Sequence, residues 1–199
     1  MRYSFFALIS RMRNITRWSL MRNNAAENVQ EHSHMVAVIA HALAVIRRDV
    51  LGLDADPGAA AAAALYHDAS EIFTGDLPTP IKYYDADIMS AYKRVEASAS
   101  VKLLSALPDE LRPAYERLLS PEPGNGTAST AALVKAADKL AAYVKCLEEL
   151  KTGNLEFRSA AKQSLEKLRA LQMPEVEYFI EHFIPAFELT LDEMDFSFD

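Results

Sequence analysis

Tyr66-His67-Asp68 sets an imidazole directly beside a carboxylate, and a second histidine, His32, and a second aspartate, Asp138, stand far from the pair in the chain. Neutral imidazole nitrogen and carboxylate oxygen together suit a divalent transition ion. A two-His, two-Asp set on a six-coordinate ion leaves positions for water and a substrate oxygen. The chemistry such a site performs is metal-assisted hydrolysis, because a bound divalent ion makes hydroxide available near neutral pH. The pair alone carries little weight, since a lone histidine or buried aspartate is more often a satisfied structural residue. The weight comes from where the four residues fall on the elements that must position them.

Helical periodicity runs through most of the chain, and sustained two-residue alternation bounded by turn signals is absent, so the fold class is predicted to be all-α with about seven or eight helices. A short first helix carries Phe5, Leu8, Ile9 and Met12, and an irregular stretch follows over 14–28. Asn28 is suited to cap the next helix, with Glu31 three positions on to complete a capping box. His32 then lies in the first turn and shares a stripe with Val36, Ile39, Leu43 and Ile46, whereas His34 and His41 lie on another face. Asp56-Pro57 caps a further helix whose alanine run over 59–64 allows close approach to a neighbour and whose far end delivers His67 and Asp68. Glu71 comes four residues after His67 and three after Asp68, beside both if the helix continues.

The segment from Thr74 to Pro80 breaks regular structure. Beyond it, helices are predicted over 85–107, with Ile88, Val95 and Leu103 inward, and over 108–119. The Pro-, Gly- and Ser-rich stretch 121–130 is an internal loop. A helix over 130–152 has Leu133, Ala137, Leu140, Val144 and Leu147 as its core stripe, ends at Gly153, and carries Asp138 at the border of that stripe. Helical segments over 155–172 and 175–191 follow, the latter kinked at Pro185. Phe179, Phe183 and Phe187 read as core or as a face for a partner helix.

At 199 residues, half of them hydrophobic, the chain is long enough for one sizeable core, and residues 1–199 are read as a single domain. A formal charge of -7 argues against a nucleic-acid polymer as partner, while leaving room for a local basic pocket. Cys146, the only cysteine, lies in an apolar helical run and is read as a buried structural thiol in a reducing compartment. The apolar patch Phe5 to Ile9 is short, lacks a small-residue cleavage site and runs into Arg11 and Arg13. With no later stretch long enough to span a bilayer, no membrane association and a cytoplasmic location are expected.

The order His32, then His67-Asp68, then Asp138 closely resembles the metal signature of the HD-domain phosphohydrolases. The resemblance sharpens at Arg17-Trp18, Leu20-Met21-Arg22, Glu27-Asn28-Val29 and Glu31-His32-Ser33. It sharpens again at Tyr66-His67-Asp68-Ala69-Ser70-Glu71 and at Thr74-Gly75-Asp76-Leu77-Pro78-Thr79-Pro80. Together these look like the bacterial 5'-deoxynucleotidase group of that superfamily, whose fold is a single HD-type helical bundle.

The resemblance implies that His32, His67, Asp68 and Asp138 bind one divalent ion, drawn from cobalt, manganese, iron or zinc, and that no organic cofactor is needed. It further implies that Arg17 and Trp18, with Asp76, Leu77, Pro78 and Thr79, line the nucleotide pocket, where His32, Asp68 and Asp138 also meet the substrate. Arg17 would orient the phosphate, and Trp18 would crowd the sugar and disfavour a ribose 2'-hydroxyl. The implied reaction is hydrolysis of deoxyribonucleoside 5'-monophosphates by a homodimer.

Read from helix register alone, Glu71 is the candidate for handling protons beside His67, with a surface carboxylate or a helix-stabilising charge as the alternative. Asp138 has its own alternative, a solvated carboxylate paired with Lys135. Arg17 and Trp18 taken singly could be a surface cation and a core aromatic, and Asp76 could serve the turn after Gly75. Two other functions compete: the same site acting on a triphosphate, cyclic nucleotide or alarmone, and a non-catalytic nucleotide-binding module. Small size and the Arg17-Trp18 pair favour the monophosphate, and the complete ligand set disfavours the module.

Overall fold

Polar caps set the starts of the helices that carry the site. The computed structural model describes residues 2–82, 84–119 and 129–194, without the side chains of Thr79 and Lys82. Helix α1 (Phe5–Ile9) runs on as a 3-10 turn over Ser10–Asn14. Helix α2 (Val29–Val45) begins at the expected capping box: the Asn28 side chain accepts from the Gln30 and Glu31 amides, and the Glu31 carboxylate accepts from the Asn28 amide. Helix α3 (Pro57–Tyr66) starts with Pro57 in its first turn and Asp56 accepting from the Ala59 amide. Short helices α4 (Glu71–Thr74) and α5 (Thr79–Lys82) lead to α6 (Ala86–Ser105), α7 (Arg112–Leu119), α8 (Thr130–Lys151), α9 (Arg158–Arg169) and α10 (Pro174–His182). Among the described residues the only strand-like pairing is one isolated bridge between Thr16 and Asn28, so the fold is all-α.

Helices α3 and α8 pack against α2, and α9 covers α8. Every member of the predicted α2 stripe is buried, from His32 and Val36 to Ile46. On α8, Leu133, Ala137, Leu140 and Val144 are buried and Leu147 is partly so. The alanine run lets α3 come close, with Ala60, Ala63 and Ala64 no more than 2% exposed. A second apolar cluster of Phe5, Met12, Val29, Ala69, Leu103 and Leu107 joins α1, the start of α2 and the end of α6 beneath the His67-Asp68 turn. No described helix is long and apolar enough to cross a membrane.

The structure differs from the sequence expectation in several places, and α5 already begins inside the segment expected to be irregular. On α6, Ile88 and Val95 are exposed at 36% and 53%, and the buried positions, Ala99 and Leu103, both lie in its second half. The apolar stripe is continuous along that helix, but the core it faces is not. Helix α7 begins at Arg112 rather than at 108. An earlier start would put Pro113 in a helix interior, where it lacks an N–H and clashes with the carbonyl four residues back. The last segment ends as an α-helix at His182 and continues as a 3-10 turn over Ile184–Glu188 that contains Pro185. The predicted loop 121–130 lies outside the described residues except for Ser129, which caps α8 by accepting from the Ala132 amide, and Thr130, which opens that helix.

Candidate metal centre

His32 is 0% exposed in the first turn of α2. His67 is the C-terminal cap of α3, and its Nδ1 donates to the Ala64 carbonyl at 2.7 Å. A carbonyl only accepts, so Nδ1 carries a proton and Nε2 is turned inward, the orientation seen in histidines that ligate metals. Asp68 follows at once, with Oδ2 3.1 Å from His67 Nε2 and 3.9 Å from His32 Nε2. Ligand atoms of His32, His67 and Asp68 all lie within 4.8 Å of one another.

Asp138 projects from α8 with Oδ1 3.0 Å from His32 Nε2. That contact replaces the alternative pairing with Lys135. Its carboxylate stands outside the mutual 4.8 Å group, at the edge of the cluster, with 40% of its side chain exposed.

Buried carboxylates and the His67 imidazole shift one another's protonation in this cluster. Burial pushes the His67 imidazole down, but the neighbouring Asp68 carboxylate outweighs it and raises the pKa to about 9. Asp68 is disfavoured as an anion by burial, yet His67, His32 and Arg17 hold it well below the usual carboxylate range. Asp138 is likewise lowered, burial being overcome by the His32 hydrogen bond. His67 Nε2 and His32 Nδ1 are both buried and make no hydrogen bond of acceptable geometry. Two imidazoles and an ionised carboxylate converging in this way fit a divalent ion.

Arg17 and Trp18 lie on the irregular segment that precedes α2. The Arg17 Nη1 donates to Asp68 Oδ2 at 3.3 Å, which ties the guanidinium to the centre. Burial works against that charge, but Asp68, Asp138, Glu27 and Asp76 together raise its pKa further. Asp76 adds to the negative surroundings of Arg17, and Gly75 turns the chain just before it at φ 70°. Leu77 and Pro78 are half-buried, and the side chain of Thr79 lies outside those described. Glu71 is 5% exposed, so it is no surface carboxylate, and it lies in the first turn of α4, where a negative charge also suits the helix; its amide donates to the Asp68 carbonyl at 3.0 Å. His34, His41 and His182 are exposed and stand apart from the centre, and Cys146 is buried with its thiol pushed up to about 12 by burial.

Sequence reasoning assigned no role to Glu27, whose Oε2 accepts from Arg17 Nε at 3.2 Å and from Trp18 Nε1 at 3.0 Å. It also missed the buried pair Lys145 and Glu149 on α8. Glu149 accepts the Asn24 and Ala25 amides, and Lys145 donates to the Ala25 carbonyl and to Glu149, so the irregular segment is clamped to the helix that bears Asp138. The i,i+4 spacing of Lys145 and Glu149 is a signal for a pair, but not for its burial under a loop.

A family model described as 5'-deoxynucleotidase YfbR-like matches residues 4–187. The 5'-deoxynucleotidase of Erwinia tasmaniensis is 50% identical over 190 residues, spanning 96% of this chain and 95% of that protein. That of Vibrio cholerae is 48% identical, spanning 96% and 97%. Among solved structures, an HD-domain phosphohydrolase from Listeria innocua superposes with a TM-score of 0.79 at 26% identity, covering 92% of this chain and 88% of that one. A cyanophage S-2L HD phosphohydrolase solved with dA and one catalytic zinc ion shares the fold at a TM-score of 0.62 and 18% identity, covering 93% and 99%. The relatives and the His32, His67 and Asp68 triad agree with phosphohydrolase chemistry, and the chain belongs to the YfbR-like 5'-deoxynucleotidase family of HD-domain phosphohydrolases.

Proposed function

We propose that this protein is a cytoplasmic, homodimeric, metal-dependent 5'-deoxynucleotidase that converts deoxyribonucleoside 5'-monophosphates to deoxyribonucleosides and phosphate. The observation that carries the reading is the convergence of His32, His67 and Asp68 within 4.8 Å, with the Arg17 guanidinium bonded to the same Asp68. His32, His67, Asp68 and Asp138 would hold the ion, one of cobalt, manganese, iron or zinc. When bound, the ion activates water and withdraws charge from the phosphoryl group.

The remaining work falls to the chain. Arg17 engages Nε and Nη1 with Glu27 and Asp68, which leaves its Nη2 hydrogens to orient a phosphate oxygen and stabilise charge spread over the transferring group. Glu71, buried three residues on from Asp68, handles the proton that must leave the nucleophile or reach the departing O5'. Trp18 and the segment Asp76, Leu77, Pro78 and Thr79 enclose the nucleoside, with the indole crowding the 2' position.

The test is phosphate release from a panel of deoxyribo- and ribonucleoside 5'-monophosphates, with and without added divalent ions, and with Asp68→Ala protein as the control for contaminating phosphatase. Metal-dependent release from the deoxy series that disappears in Asp68→Ala supports the reading. Activity that persists undiminished in metal-free Asp68→Ala protein overturns it.

A further inference from the structure

We propose that Glu27 is a positioning residue whose single carboxylate sets both the Arg17 guanidinium and the Trp18 indole, and so couples turnover to sugar discrimination. The inference rests on the nucleotidase reading of the site. One oxygen, Oε2, accepts from Arg17 Nε at 3.2 Å and from Trp18 Nε1 at 3.0 Å, while Oε1 lies 3.9 Å from Nδ1 of His32. The carboxylate therefore touches the two side chains assigned to phosphate and sugar and stands behind a metal-site histidine. Charge-assisted hydrogen bonds of this kind are about twice as strong as neutral ones, and here the side chains of Glu27 and Arg17 are only 16% and 12% exposed.

The backbone enforces the arrangement. Arg17 N–H donates to the Glu27 carbonyl at 3.0 Å, Val29 N–H donates to the Ile15 carbonyl at 3.0 Å, and Thr16 bridges Asn28. These bonds close the neck of the 17–27 loop and bring Glu27 back opposite Arg17. At the far side, Asn24 and Ala25 are held by Glu149 and Lys145.

Trp18 adopts φ 58°, in the left-handed region that disfavours an L side chain. Such a conformation persists only where its surroundings over-determine it. The Met21 amide and the Asn23 side chain donate to the Trp18 carbonyl, Glu27 bonds one edge of the indole, and the ring of Phe157 lies against it with centroids 5.3 Å apart.

Trp18 is the only tryptophan, so intrinsic fluorescence reports its environment without a label or a substrate. Two variants separate the two halves of the role. Glu27→Gln keeps an oxygen that can accept from the indole but removes the charge that pairs with Arg17. It should lower kcat/KM for deoxynucleotides about tenfold or more while leaving emission and the deoxy-to-ribo ratio close to those of the parent. Glu27→Ala should lose both: the emission shifts to longer wavelength, acrylamide quenching increases, and the deoxy-to-ribo ratio of kcat/KM falls several-fold.

Circular dichroism and metal content are measured on the same samples, and Glu27→Gln decides the question if Glu27→Ala fails to fold. An active parent enzyme whose Glu27→Ala form keeps the same emission, quenching and sugar ratio overturns the positioning role alone, as does a Glu27→Gln form with unchanged kcat/KM. A parent enzyme that releases phosphate from no monophosphate removes the nucleotidase reading, and the proposal goes with it.

Discussion

His32 Nε2 and Asp138 Oδ1 meet at 3.0 Å across 106 positions of sequence, joining the first turn of α2 to the middle of α8. The contact matters because α2 and α8 share the main core, so the distance between the two side chains is fixed by packed helices rather than by loops. Asp138 lies at the rim of the centre, in reach of His32 and only partly covered. Asp138→Ala is therefore expected to retain helicity and to lose about 10–100-fold in metal affinity and in activity together. Metal titration followed by phosphate release checks it. Full metal affinity in the variant would show that the carboxylate neither ligates the ion nor orients His32.

Removal of the indole tests the sugar-facing wall. Trp18→Ala takes away a ring held by Phe157 and Glu27, so ribonucleotides should be hydrolysed closer to the rate of their deoxy counterparts. The ratio of kcat/KM between a deoxy- and a ribonucleoside monophosphate is expected to drop about tenfold, the scale on which a hydrophobic pocket discriminates by steric fit. An unchanged ratio would remove Trp18 from any part in sugar choice.

Close approach of α3 to α2 gives a prediction about the core. Ala60 and Ala64 are 0% exposed, and α3 ends at His67. Ala64→Leu would add a bulky group where no space exists, at a cost of about 1–3 kcal/mol. Because Ala64 also supplies the carbonyl that orients His67, the displacement should reduce metal affinity more than a surface change of equal stability cost. Thermal unfolding and metal titration, compared with an exposed helix-interior change that does cost stability, such as Val101→Pro in α6, separate the two effects.

Most of the fold was legible in the sequence because it depends on local rules, whereas the metal triad was legible through its likeness to the HD signature. Asn28 with Glu31, and Asp56 with Pro57, mark helix starts through contacts only a few residues long, and helical periodicity then places His32 and Asp138 relative to the core. What was not legible depends on what covers an element. Ile88 and Val95 have the right spacing for burial, yet nothing in a stripe tells whether a partner lies over it. Glu27 reaches Arg17 and Trp18 by closure of an irregular loop, and Glu149 receives amides from residues more than a hundred positions away. Neither leaves a periodic trace.

Proton handling by Glu71 predicts a specific kinetic signature. The residue is 5% exposed and bonded through its amide to the Asp68 carbonyl, so a side-chain change should leave the backbone of the turn in place. Glu71→Gln preserves size and removes the ability to take up a proton. The expected result is a fall in kcat of about 10²–10⁴-fold, the usual range for a general acid or base, with KM nearly unchanged and metal still bound. A rise in KM at constant kcat would instead make Glu71 a substrate-binding residue.

Acid stability should report the clamp on the 14–28 segment. Glu149 is 1% exposed, and although burial works against its charge, hydrogen bonds from Lys145, Asn24, Asn154 and Ala25 hold its pKa down to about 2, below the ordinary value of 4.5. A folded-state pKa lower than the unfolded one means that the contribution to stability is complete above about pH 4.5 and is lost as the pH falls toward 2. Glu149→Gln should therefore be less stable than the parent at neutral pH by about 3 kcal/mol, since it strips one partner from a buried ion pair and leaves Lys145 uncompensated. The gap between the two should narrow as acid is added, because protonated Glu149 resembles glutamine. Urea unfolding at a series of pH values from neutral down to 3 measures that convergence. Parallel curves for the two proteins would mean that Glu149 is not ionised in the folded clamp, and that Lys145 is balanced by some other group.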